Sequence, residues 1–370
     1  MCERAIPDSR DDPTRVVNVQ GLRALAVLLV MFLHLRDLER VYRADAVLPG
    51  WADIGHSGVD LFFVISGFIM VLIGHAYPAT RGAAGRFLYH RWARIYPTYW
   101  FWFLLTLAFY LSAPAWLRFE AGQVTHLVES FFLIPTWTPQ LVPVSWTLKY
   151  ELYFYLIFSL VILVPARRRI LLLLVWAGYM LIGQQFCYDA PDVLCHKSLF
   201  LTMHPLAFEF LFGAVVAGIY LYRRSLHPRF IFILGSCLLV GSFVIYIRSG
   251  VNLDDNSWYR VLLFGFPSAL LLYGCVELER QQGLRVPAWV VVIGNASYSI
   301  YLSHFLLFDL LYGRLATLSV LPAALVAGIV FTLSLGVGLM AYRWVERPLL
   351  HLSRGCFGSA RYDPAGQKAA

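Results

Sequence analysis

Residues 57–75 read SGVDLFFVISGFIMVLIGH, and this stretch decides the fold. As a helix it rises about 28 Å at 1.5 Å per residue, close to the ~30 Å hydrocarbon core of a bilayer. Its one formally charged residue is Asp60. It lacks the continuous polar stripe that a helix on a water-facing protein surface carries, so lipid is the solvent that suits it. The same pattern recurs along the chain. Of 370 residues, 59% are hydrophobic and 14% charged, against roughly 25% charged in a soluble globular chain. With a mean hydropathy of +0.65, the composition excludes an ordinary soluble enzyme, a disordered chain, a collagen-like fibre and a soluble nucleic-acid binder.

Cutting the chain at charge clusters and at Pro, Gly and Asn turns predicts ten spans, near 21–38, 57–75, 95–113, 145–164, 170–186, 203–222, 230–248, 259–277, 289–312 and 320–342. The fold class expected is all-α, a polytopic integral membrane protein with about ten transmembrane helices. The net charge of +8 comes from 27 Arg and 3 Lys scattered between apolar runs. That scatter fits a topological signal better than a nucleic-acid surface. With the N-terminus inside, 20 basic residues fall in cytoplasmic segments and 8 in outer ones. Arg167, Arg168 and Arg169, and then Arg223, Arg224 and Arg229, mark the inner side most clearly. Both termini are therefore expected in the cytoplasm. A polar tail over residues 1–16, one membrane domain over 17–348 and a short tail over 349–370 complete the expected organisation. The first apolar run follows a mixed-charge segment and has no small-residue cleavage site after it, which does not suit a signal peptide. Six widely spread cysteines show no zinc-type spacing, so no metal site is expected. Cys187 and Cys195 share an outer connection, where a disulfide is an open possibility.

Ionisable groups within spans cost about 2.5–3.5 kcal/mol each at the bilayer centre, so each needs a reason. Arg23 lies at the inner end of span one, where it could snorkel or bind a ligand. His34 lies 11 residues further on, about 16 Å up the same helix. Asp60 in span two is expected at the same depth. A carboxylate beside an imidazole makes either a His–Asp general base or a structural polar pair between two helices. Arg91 and Arg94 are three apart before span three, hence on one helix face and able to grip a polyanion, although plain inner-side arginines would look the same. Span four carries Lys149 and Glu151 on different faces; span nine places His304 amid Ser297, Tyr298, Ser299 and Tyr301; and Glu346-Arg347-Pro348 closes the last span. Gly67, with Ser66, suits close helix contact better than chemistry. Trp51, Trp137 and Trp146 lie near the outer side, as in an interfacial aromatic belt or a sugar-stacking surface. A polar path from inner arginines to deeper histidines and carboxylates fits a membrane enzyme, a saccharide transporter or, less directly, a structural subunit of an export complex.

Six motifs occur in order: Arg23-x10-His34, Gly58-Val59-Asp60-Leu61-Phe62-Phe63-Val64-Ile65-Ser66-Gly67-Phe68, Arg91-x-x-Arg94, Ser145-Trp146-Thr147-Leu148-x-x-Glu151, Ser297-Tyr298-Ser299-Ile300-Tyr301-Leu302-x-His304 and Glu346-Arg347-Pro348. Together they resemble the acyltransferase-3 family of integral membrane proteins, most closely its short members that O-acetylate bacterial exopolysaccharides. The resemblance implies transfer of an acetyl group from cytosolic acetyl-CoA to a saccharide hydroxyl at the outer face of the bacterial cytoplasmic membrane. It implies His34 as the essential histidine with Asp60 beside it, and Arg23, Arg91 and Arg94 as donor-binding arginines. Glu151, His304 and Glu346 match further recurrent polar positions, and Tyr298 is one candidate oxyanion donor. Acyl-CoA, a saccharide or lipid-linked saccharide, membrane lipids and polysaccharide-assembly proteins are the implied partners. Lys149 matches no family position.

Overall fold

The computed structural model describes residues 16–42, 47–117, 126–135, 139–189, 201–222, 227–249, 257–316 and 321–355. Among these residues the regular structure is helical, with no strand. The helices are α1 (Asn18–Tyr42), α2 (His56–Gly74), α3 (Arg81–Ser112), α4 (Leu127–Phe132), α5 (Trp146–Ile162), α6 (Arg169–Asp189), α7 (Ala207–Leu221), α8 (Pro228–Ser249), α9 (Trp258–Gln282), α10 (Ala288–Ala316) and α11 (Ala323–Ser353). Among the described residues six segments are long and apolar enough to cross a membrane: α1, α2 with the 3₁₀ turn before it, α8, α9, α10 and α11. The other four expected spans coincide with α3, α5, α6 and α7, so the count of ten goes beyond what length and composition establish. Three of the four fall short for visible reasons. The charge-free part of α3, residues 95–112, is diluted by Tyr, Trp, Thr and Pro, α5 has 17 residues and includes Lys149 and Glu151, and α7 has 15.

Two other boundaries depart from expectation. The third span was expected to open near Ile95, yet α3 runs unbroken from Arg81 through Pro97, with Thr80 Oγ1 accepting from Ala83 N–H as its N-cap. The C-terminal tail expected from residue 349 is helical at its start, because α11 continues to Ser353, where Tyr89 of α3 donates to the Ser353 carbonyl at 2.7 Å. The side chain of Cys187, and Cys195 and Trp137 as a whole, lie outside the described residues.

The packing is built on close backbone approach. The main partnerships are α1 with α10, α2 with α7, α8 with α9 and α10 with α11. Gly67 of α2 faces the Phe210 carbonyl of α7, while Gly213 of α7 faces the Val64 carbonyl of α2. A methyl group at either position would overlap backbone, so Gly67 is a helix-contact residue, as its sequence context suggested. Gly294 of α10 abuts the Gln20 carbonyl of α1 in the same way and sets the register between those two helices.

Arginines and one asparagine tie the basic end together. Asn18 donates to the Cys275 and Leu284 carbonyls at 3.0 and 2.8 Å and accepts from Val286 N–H at 2.9 Å, joining α1 to α9 and to the connection that leads into α10. Arg169 donates to the carbonyls of Gly74 and Tyr77, each at 2.7 Å, and so satisfies the exposed C-terminal end of α2. At the opposite end Glu39, wholly buried, accepts from Val47 and Leu48 N–H at 3.1 and 2.7 Å, and Arg36 pairs with Asp53. These contacts clasp the α1–α2 connection beside the end of α1.

One feature had no sequence signal. The short helix α4 ends with the carbonyls of Ser130, Phe131 and Phe132 accepting from Tyr99, Trp100 and Tyr96 at 2.5, 3.1 and 3.1 Å. The three donors lie on one face of α3. Non-helical backbone within a membrane protein requires such partners, since lipid supplies none. Leu141 N–H donates to Ser130 Oγ at 3.1 Å, and Val142, Val144 and Ser145 are buried just before α5.

Candidate active site

At the basic end, α3, α10 and α11 enclose a cleft with about 910 Å³ of empty space, part of it open to solvent. His90, Arg91, Arg94, Asn295, Tyr342 and Glu346 form most of its wall. Arg91 and Arg94 share it because they are one helical turn apart. Nε and Nη1 of Arg91 are buried with no hydrogen-bond partner. Buried guanidinium donors left unmatched are costly, and an anion is what matches them. Glu346 is brought inward by the π turn Tyr342–Glu346 and accepts from Ser299 Oγ at 2.6 Å. Such a turn inserts one residue and re-aims the side chains around it.

Arg94 is also part of the wall of a second, deeper cavity with about 770 Å³ of empty space. Its polar lining comes from Arg23, Ser66, Glu151, Tyr155, Tyr298 and Tyr301, and the remainder is largely apolar, with Phe62, Phe63, Ile65 and Met70. Arg23 therefore faces the interior rather than snorkelling to the surface. Glu151 accepts from Tyr155 Oη one helical turn on and from Ser66 Oγ at 3.5 Å. Tyr298 donates to the Ile95 carbonyl at 2.8 Å. Glu151 lies within electrostatic reach of Arg23, Arg91 and Arg94, and Glu346 within reach of Arg23 and Arg94; what sets Arg91 apart is its two buried donors with no hydrogen-bond partner. Lys149 is buried on another face of α5 and is not part of either wall.

Beyond this cavity two histidines meet. His34 Nδ1 and His304 Nε2 are 2.8 Å apart, with ring centroids 5.1 Å apart and planes 16° from parallel. Tyr301, part of the cavity wall, has its ring centroid 5.8 Å from that of His304. His34 is half-buried and His304 wholly buried. Eleven residues along one helix return to nearly the same face, so Arg23 and His34 both look from α1 towards this polar interior.

The expected pairing of Asp60 with His34 is corrected by these contacts. Asp60 accepts from Arg260 Nε at 2.8 Å and Nη2 at 3.3 Å, both residues being almost wholly buried. Glu209 of α7 lies next to Asp60 and is also fully buried. The physical reason is direct: a guanidinium one residue before the π turn of α9 offers Asp60 two charged donors, where an imidazole offers one. His34 is partnered by His304 instead. Among the residues not singled out beforehand are Tyr155, Arg260 and Glu209. Tyr155 could have been found as the i+4 neighbour of Glu151, and Glu209 as a carboxylate inside an apolar run. Among the described residues no three His, Cys, Asp or Glu side chains converge as a metal site.

The acyltransferase domain Acyl_transf_3 matches residues 16–342. The chain belongs to the acyltransferase-3 family. It is 30% identical over 311 residues to the exopolysaccharide production protein ExoZ of Rhizobium meliloti (strain 1021), covering 81% of this chain and 91% of that protein. It is 26% identical over 331 residues to the acyltransferase MdmB of Streptomyces mycarofaciens, with 80% of each chain covered. No solved structure matches. The protein is thus a membrane acyltransferase of this family, and the transporter and structural-subunit readings give way to it.

Proposed function

We propose that this acyltransferase carries a short acyl group, acetyl foremost, from acyl-CoA on the cytoplasmic side to a hydroxyl of a saccharide or lipid-linked saccharide at the outer face. The observation that carries the reading is the succession of a basic cleft, a cavity sharing Arg94 with it, and a histidine pair whose His304 ring lies 5.8 Å from Tyr301 of the cavity wall. In this reading α3, α5, α6 and α7 also cross the bilayer, the basic end is cytoplasmic, and the host membrane is the bacterial inner membrane. The likeness to ExoZ, named for exopolysaccharide production, supports an exopolysaccharide acceptor.

The Arg91 donors suit the phosphates of CoA, with Arg94 beside them at the entrance to the deeper cavity. The pantetheine arm occupies that cavity, whose mainly apolar lining favours a thioester. His34 accepts the proton of the incoming hydroxyl as its oxygen attacks the thioester carbon. The carbon–oxygen bond forms, the carbon–sulfur bond breaks, and the proton passes from His34 to the departing thiolate, so the cycle closes with no net proton change. Direct attack needs only this one base, whereas an acyl-histidine intermediate would need a second group to activate the hydroxyl.

The reading is tested by sidedness. Sealed inside-out vesicles formed with the lipid-linked saccharide in their lumenal leaflet and given acetyl-labelled acetyl-CoA outside should label the saccharide, and sealed right-side-out vesicles given both outside should not. Equal labelling from both faces, or none with the donor bound, would overturn it.

A further inference from the structure

Resting on the reading of His34 as the base, we infer that His304 is a positioning residue that holds His34 as its Nδ1–H tautomer and leaves Nε2 as the basic nitrogen. The argument follows from which atoms can donate. His304 Nδ1 lies 3.2 Å from the carbonyl oxygen of Ile300, one turn earlier in α10. A carbonyl can only accept, so in a neutral ring the His304 proton sits on Nδ1 and its Nε2 carries a lone pair. The contact between His304 Nε2 and His34 Nδ1, at 2.8 Å, then requires His34 Nδ1 to be the donor. The lone pair of His34 is thereby assigned to Nε2. The backbone of α10 acts on His34 through His304, as a carboxylate would in a His–Asp pair.

The surroundings separate the two rings by role. His304 is wholly buried, with Phe308 edge-on at 5.5 Å, and so is removed from any substrate. His34 is half-buried, with Phe305 edge-on at 5.6 Å holding its plane. The depth match depends on the close α1–α10 approach at Gly294. A base in the wrong tautomer can retain its position and still lose orders of magnitude in rate.

The test compares His304→Gln, whose amide oxygen can still accept from His34 Nδ1–H, with His304→Leu, which cannot. Leucine should lower kcat by about 100-fold, within the range attributed to a positioned base, with KM for acetyl-CoA unchanged. Glutamine should recover kcat to within about tenfold of the parent, since it restores the acceptor. Wild-type kcat in His304→Leu, equal losses in both variants, or a loss carried by KM would overturn the inference. Nitrogen-15 spectra of histidine-labelled protein, with His34 assigned by subtraction of His34→Ala, provide a readout independent of turnover. A protonated Nδ1 and a bare Nε2 are expected in the parent and in His304→Gln, and a mixture in His304→Leu. A protonated Nε2 in the parent would refute the inference even if His34 proved essential. Conversely, activity in His34→Ala would refute the proposed base while leaving the tautomer result to decide the pairing.

Discussion

Replacing Arg260 with methionine should damage this protein more than replacing Asp60 with asparagine, and the asymmetry follows from the charges around the pair. Arg260 is 4% exposed and Asp60 wholly buried, joined by contacts of 2.8 and 3.3 Å, with Glu209 also wholly buried beside them. Removing one partner of a buried ion pair costs about 3–5 kcal/mol, because the other charge is stranded. Arg260→Met strands Asp60 next to Glu209, two acids with no cation, and should incur the full figure. Asp60→Asn leaves Arg260 with Glu209 as a replacement partner, and the amide still accepts from the guanidinium, so roughly half that cost is expected. The assay is thermal unfolding of detergent-solubilised protein followed by size exclusion, with turnover measured on the surviving folded fraction. The expected order of midpoints is parent, Asp60→Asn, then Arg260→Met, with turnover per folded molecule in Asp60→Asn within about tenfold of the parent. Parent-like stability combined with a turnover loss as deep as that of His34→Ala would refute the reasoning, because it would return Asp60 to the chemistry.

Three other outcomes follow from the geometry. Arg91→Ala should raise KM for acetyl-CoA by roughly 10- to 100-fold with little change in kcat, the loss of charged hydrogen bonds worth about 1.5–3 kcal/mol; steady-state kinetics with varied donor checks this. Gly213→Val should abolish the folded population, as its Cβ already overlaps the Val64 carbonyl and adjacent backbone, whereas Gly218→Ala, with open space around it, should be neutral; monodisperse yield after solubilisation separates them. Glu39→Ala strands two backbone N–H groups of the α1–α2 connection, at about 1–3 kcal/mol each, and should lower the unfolding midpoint and speed proteolytic cutting between the two helices.

The sequence exposed the helices and the polar residues more readily than the partners of those residues. Apolar runs separated by arginines located most of the long helices to within about five residues at each end, because lipid solvation imposes a strong and local compositional rule, but missed the start of α3 and the end of α11, where the helix runs on into polar sequence. Arg91 and Arg94 were legible as a pair because helical spacing alone places them on one face. Depth alone was a poor guide to pairing. His34 and Asp60 suit one level of the bilayer, but the side each faces is set by the crossings of α1 with α10 and of α2 with α7, which depend on Gly294, Gly67 and Gly213 meeting backbone from distant parts of the chain. The guanidinium of Arg260, 200 residues from Asp60, then claims the carboxylate. Arg169 shows a related limit. It reads as a simple inner-side marker, yet it also satisfies the carbonyls that end α2. The α4 segment was silent because its stability comes from three side chains of α3 rather than from its own composition.

The central claim is that His34 removes the hydroxyl proton during acyl transfer from CoA to a saccharide. It is tested most directly by supplying acetyl-labelled acetyl-CoA to inside-out vesicles formed with lipid-linked saccharide in their lumenal leaflet, and comparing parent protein with His34→Ala at equal folded amounts. Saccharide labelling in the parent, reduced at least 100-fold in the variant while donor binding persists, is the expected result. Undiminished labelling in His34→Ala would contradict the account.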